Sequence, residues 1–170
     1  MASTDPIVVA LLEKLRAAFC NDEHPPVGGV TGQPQPRAGN GVPPLDNFND
    51  CSLLFLNVTN RFRSNEFPNQ SVSDDPCTMQ KVVELQIGVA RCTAVAEAVG
   101  RKIALPSADT MAAEFGVQED DADRLDWVLC RAAAKLKNDH DILSWAPEAT
   151  TVLGPEGGTV AVIATAIFQY

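Results

Sequence analysis

Two histidines, five cysteines and a cluster of carboxylates are the side chains with the widest chemistry open to them. His24 stands in a Pro-rich stretch and His140 in "KNDHDI". Neither is spaced from a second His or a Cys as a metal site requires, so surface histidines are expected. Cys20, Cys51, Cys77, Cys92 and Cys130 are scattered without a C-x-x-C pair, which argues against a zinc knuckle or a thioredoxin-like site. Buried free thiols are the plain expectation, and a disulfide that closes after release from the cell is the sharper one. Glu119, Asp120, Asp121, Asp123 and Asp126 lack the alternating order and twelfth-position Glu of a calcium loop, so a solvated helix start is expected. "GPEGG" has no Lys-Ser/Thr and precedes a strand, not a helix, so it reads as a turn and not as a phosphate cradle. Ser52, Ser64 and Ser144 have no G-x-S-x-G setting. The residues predict no catalytic centre, no metal and no cofactor.

One segment remains, "NRFRSNEFPNQ". Arg61 and Arg63 lie two apart at a strand end and project the same way, with Phe62 opposite and Phe67-Pro68 extended behind them. In an acidic chain this is a candidate contact patch; the plainer alternative is two solvated arginines with a Phe over the core.

The elements that must position these side chains are read from periodicity. Thr4 and Asp5 suit a cap with Pro6 in the first turn, and Ile7, Leu11, Leu12, Leu15, Ala18 and Phe19 recur at helical spacing. A helix is predicted over 5–19. Residues 20–50 are rich in Gly, Pro, Asn and Gln and predict a long loop or arm. "CSLLFLNVTNRF" is apolar on both faces, as a buried central strand is. An irregular connection follows. In "MQKVVELQIGVARC", Val83, Leu85, Ile87 and Val89 alternate with Glu84, Gln86 and Gly88, which predicts a strand with one wet or interface-facing side. A helix opening at Pro106 and Ser107 carries Met111, Ala112 and Phe115 on one face and is expected to break at Gly116. A second, over about 119–138, carries an apolar stripe from Leu125 to Leu136, with acids first and Arg131, Lys135 and Lys137 near its end. "WAPEATTVLGPEGG" reads as a loop, and a terminal strand begins at Thr159.

This order predicts one α+β domain over 1–170, with its core in 51–170: a small, mostly antiparallel or mixed β-sheet covered on one face by helices, with a long arm. Three strands make a narrow sheet. Either short strands are hidden in the loops or neighbouring subunits supply the pairing. A strand ending at Tyr170 is then central in its own sheet or bonded across a subunit boundary.

Composition bounds the function. A formal charge of -9 argues against a broad footprint on nucleic acid or anionic lipid. The longest apolar runs fall far short of the roughly 20 residues that span a bilayer. The N-terminus lacks the pattern of a secretory signal, so a soluble protein made in the cytoplasm is expected.

The pieces "LLFLNVTNRFRSNEFP", Cys77, "VVELQIGVARC", "LPSADTMAAE", "WVLCRAAAKL" and "LGPEGGTVAVIATAIF", in that order, resemble the tail terminator family of long-tailed actinobacteriophages. The resemblance covers roughly residues 50–170 and the N-terminal helix. It implies a structural virion protein, not an enzyme, of the head–tail neck: a ring-forming protomer whose ring, usually a hexamer, caps the tail tube. Its implied partners are further copies of itself, the major tail-tube protein and the head-side connector, with DNA passing through the lumen unbound and no membrane contact. Arg61, Arg63, Phe67 and Tyr170 are then the candidate intersubunit or partner contacts. Because virions meet an oxidising exterior, a bridge from Cys77 to Cys92, or from Cys20 to Cys51, is a further expectation. The long arm and the charged "GVQEDDADRLD" depart from the family pattern. A stopper or adaptor ring nearer the portal is the close alternative, and a small hydrolase or binding domain the remote one.

Overall fold

The computed structural model describes residues 5–39, 51–99, 102–156 and 158–170. Residues 40–50 of the expected arm, and the expected contribution of Thr4 to the helix cap, lie outside them.

The chain is α+β. Its strands are β1 (Gln35–Ala38), β2 (Ser52–Ser64), β3 (Gln80–Cys92), β4 (Glu97–Val99), β5 (Lys102–Ala104), β6 (Ser144–Pro147), β7 (Thr151–Glu156) and β8 (Thr159–Gln169). The main sheet runs β1-β2-β3-β8-β6, with β7 also paired to β8. Among the described residues, only the pairing of β1 with β2 is parallel in this sheet. The β4–β5 hairpin stands apart as a second sheet. The terminal strand is therefore central in its own sheet, with β3 on one side and β6 and β7 on the other.

Both helices cover one face. In α1 (Pro6–Phe19) the Asp5 carboxylate accepts from Ile7 N at 3.0 Å, which satisfies a donor that the first turn leaves free. Its Ile7, Leu11 and Leu15 meet Leu54, Leu56, Leu85 and Ile87 from the sheet and Leu125, Leu129 and Leu136 from α2 (Ala108–Asn138). Each of these fully buried side chains contributes about 1.5–3 kcal/mol relative to exposure. The opposite face of the sheet carries a smaller cluster, Phe55, Ala90, Ala161 and Ile163. Phe55 fits there because Gly88, its partner on β3, leaves the space that a Cβ would occupy.

Four expectations are corrected. Gly116 does not end a helix: α2 is continuous over 31 residues, because Gly116 is exposed and nothing crowds it. The penalty for one Gly in a helix, about 1 kcal/mol, is small beside the packing of the following stripe. The segment expected as a loop before Thr159 holds β6 and β7, short strands that edge β8, and β1 lies inside the Gly/Pro-rich arm. Short strands were thus hidden in the loops. Third, Asp121 is not part of a solvated helix start but is 1% exposed. Fourth, neither expected bridge forms, since Cys92 is bonded to Cys51. The β2–β3 register sets Ser52 against Arg91 and so brings Cys51 opposite Cys92, with their Cα atoms 5.0 Å apart. Cys77 is an exposed thiol in a single turn of 3-10 helix, separated from Cys92 by the whole of β3, on the order of 40 Å of extended chain. Cys20 keeps its thiol near Gly32 O at 3.5 Å.

Candidate interaction surface

The two ends of the long strands differ in chemistry. At the end where β2 finishes, a bulge between Val58 and Asn60 reverses the alternation. Thr59 is the extra residue, and its hydroxyl donates to Glu84 O at 3.0 Å. Arg61 and Arg63 are thereby set opposite Val83 and Lys81, on the helix-covered side. Tyr170 continues β8 by exchanging two backbone hydrogen bonds with Lys81, 2.9 and 3.1 Å. The Arg61 guanidinium donates to Tyr170 Oη at 3.1 Å and to Asp5 Oδ2 at 3.0 Å, and the Asp5 contact raises its pKa above the ordinary value. Arg63 donates to Met79 O at 3.1 Å. The Lys81 ammonium lies 5.9 Å from the centre of the Tyr170 ring.

Arg61, Arg63 and Tyr170 are thus brought together, with Lys81 and Asp5 as members that the sequence reading missed. Phe67 is outside this network. It is half-buried on the 65–71 loop, which folds around the buried Ser64: the Ser64 hydroxyl donates to Asn69 O and accepts from Glu66 N at 2.9 Å.

At the other end, α2 overhangs the sheet. Its buried residues all lie from Asp121 onward, so its first thirteen residues, about 20 Å of helix, stand clear of the core. Two adjoining hollows lie beneath them. The inner one, about 250 Å³, is lined by the Cys51–Cys92 bridge, Val89, Val160, Arg91, Asp121 and Glu114. Arg91 grips Asp121 with two bonds, Nε to Oδ2 at 2.7 Å and Nη2 to Oδ1 at 2.9 Å, and donates to Gly28 O at 2.8 Å. Burial raises the Asp121 carboxyl above its ordinary value, and the Arg91 contacts offset only part of that rise. Glu114 accepts from Ala94 N at 2.5 Å and Thr93 Oγ1 at 2.6 Å, which holds its carboxyl below the ordinary value. All four carboxylate oxygens in this hollow are therefore committed to partners within the chain.

The outer hollow is an apolar groove of about 560 Å³ between α2, residues 93–96, Leu105 and β7. Its lining includes Leu105, Met111 and Phe115, which are 77%, 59% and 62% exposed, with Val95 and Val152 beside them. Met111 and Phe115 are four apart and share one helix face. The periodicity displayed this pair in the sequence, but only the continuation of the helix through Gly116 shows that the face is left uncovered by the core.

His24 and His140 are both exposed. Among the described residues no group of three His, Cys, Asp or Glu side chains could hold a metal ion, and no helix is long and apolar enough to cross a membrane. No protein-family model matches the chain, and no curated protein matches it.

Proposed function

We propose that the chain is a structural subunit that assembles through its surface, as the resemblance to phage tail terminators implies, and that it works in a ring joining a tail tube to a head-side connector. The observation that carries this reading is the apolar groove beside Met111 and Phe115. Three large apolar side chains more than half exposed around one concavity are what a docking surface presents, and an isolated monomer seldom leaves them open.

The hydrolase alternative needs a pocket whose acids are free to act. In the inner hollow the Asp121 and Glu114 oxygens each hold a donor from the chain itself, which suits a rigid junction better than a catalytic centre.

Native mass spectrometry of the protein alone, with the tail-tube subunit, and with the head-side connector tests this reading. A ring formed alone or on tube ends is expected. Contact with a portal-side adaptor but not the tube moves the subunit to a stopper position, and a monomer inert to every partner overturns the assembly reading.

A further inference from the structure

One wall of the groove, residues 93–96, belongs to no helix or strand. Residues 93–96 leave the end of β3 and run along the groove before the β4–β5 hairpin begins. Three ties fix this wall. Thr93 N donates to Gly158 O at 2.9 Å, Glu114 receives Thr93 and Ala94, and Cys92, immediately before the wall, is bonded to Cys51. The covalent tie is placed where a redox change is felt. Cys51 is exposed, so small thiols and oxidants reach it, and Cys92 N donates to Cys51 O at 3.0 Å, so the two strand ends share one backbone contact besides the sulfur bridge. The bridge also lines the inner hollow, next to the Thr93 and Glu114 side chains that separate it from the groove.

We propose that the Cys51–Cys92 bridge is a redox staple for the groove: closed, it holds the 93–96 wall in its docking position, and open, it leaves that wall on its hydrogen bonds alone and weakens docking. The docking clause rests on the assembly reading, whereas the effect on the wall does not. Closure removes two protons and two electrons from the Cys51 and Cys92 thiols. A small-molecule disulfide such as oxidised glutathione accepts them and leaves as two thiols, through a mixed disulfide first formed on one cysteine. Opening is the reverse exchange with excess thiol. The other cysteines do not contribute: Cys77 and Cys130 are exposed elsewhere, and Cys20 lies beside Thr31.

The experiment uses the full chain with Cys77→Ser and Cys130→Ser to prevent stray exchange. Amide hydrogen exchange is followed at residues 93–95 and at Leu56 and Ile87 in mid-strand, with the bridge closed by oxidised glutathione or opened by dithiothreitol. Opening is expected to speed exchange at 93–95 by on the order of tenfold while the mid-strand amides change far less. A further Cys51→Ser, Cys92→Ser pair of substitutions is expected to behave as the open form in both buffers. No change at 93–95, or an equal rise throughout the chain, overturns the staple.

Self-association is then measured by sedimentation in both redox states. Weaker association of the open form is expected, and equal association in the two states overturns the docking clause. Failure to associate in either state counts against the assembly reading, and the exchange data still decide whether the staple exists.

Discussion

Asp5 holds two elements at once: one carboxylate oxygen caps α1 through Ile7 N and the other pairs with Arg61 at the far end of β2, each at 3.0 Å. The two contacts differ in worth. The cap satisfies a helix donor near the core, whereas the ion pair is half-exposed on its Arg61 side. Asp5→Ala is expected to cost about 1–2 kcal/mol, and Arg61→Ala less than about 1 kcal/mol. Urea unfolding at two salt concentrations checks this: as salt rises the Arg61 effect is expected to shrink towards zero, and the Asp5 effect to lose only that ion-pair share and keep its cap contribution.

Arg91 and Asp121 form the opposite case, a bidentate pair with side chains 8% and 1% exposed. Removing one partner strands the other's charge away from water. Asp121→Ala and Arg91→Ala are each expected to cost about 3–5 kcal/mol. Combining Arg91→Met with Asp121→Leu is expected to cost less than the sum of the single losses, because no charge is then left buried and unpaired. Denaturant midpoints of the four proteins check it.

Gly88 is predicted to tolerate no side chain. A Cβ there would run into the Phe55 ring and sit 2.9 Å from Val162 O, which belongs to the backbone of the adjacent strand and cannot swing away. Gly88→Ala is expected to destabilise by about 1–3 kcal/mol. Adding Phe55→Leu is expected to recover part of the loss, and thermal unfolding of the two variants decides it.

How legible these relationships were in the sequence follows from their range. Helix α1 and strands β2, β3 and β8 are written in local alternation, and all four are found within about two residues of their predicted positions. β1, with the sequence QPRA, and β7, which contains Gly154 and Pro155, carry no such pattern, since edge pairing to a neighbour asks little of their own side chains. The bridge depends on which residues of β2 and β3 face each other. Cys51 before one strand and Cys92 at the end of the next were visible as flanking positions of an antiparallel pair, and reading the two strands as a hairpin would have joined them. Arg91 with Asp121, and Glu114 with residues 93 and 94, had no local sign, because each contact depends on where a helix crosses the end of the sheet. Arg61, Arg63 and Tyr170 were singled out by type and position; what joins them is the bulge at Thr59, which the sequence does not announce.

Acid is predicted to loosen the groove wall at Glu114. The Ala94 and Thr93 donors favour the charged carboxylate, so the folded-state pKa lies below the ordinary 4.5. A lowered carboxyl contributes stability that is complete above the ordinary value and is lost as pH falls through the lowered one. The Ala94 amide resonance is therefore expected to titrate with a midpoint below 4.5. Glu114→Gln is expected to abolish that titration at neutral fold stability, and a midpoint at or above the ordinary value would contradict the tether.

Phe115 separates folding from assembly. It is 62% exposed on the part of α2 that contributes nothing to the core, so exchanging it for Asp removes little buried surface. The change also lies well inside the helix, away from either terminus, so its effect on the helix dipole is small. Phe115→Asp is expected to change unfolding free energy by less than about 1 kcal/mol. Within a docked groove the same carboxylate would be desolvated beside Glu114, with no cation among the described lining residues. Self-association is then expected to fall by at least on the order of tenfold, or about 1.4 kcal/mol. Sedimentation equilibrium beside a urea titration reads both quantities. Lost stability with unchanged association would place Phe115 in the fold rather than in the contact.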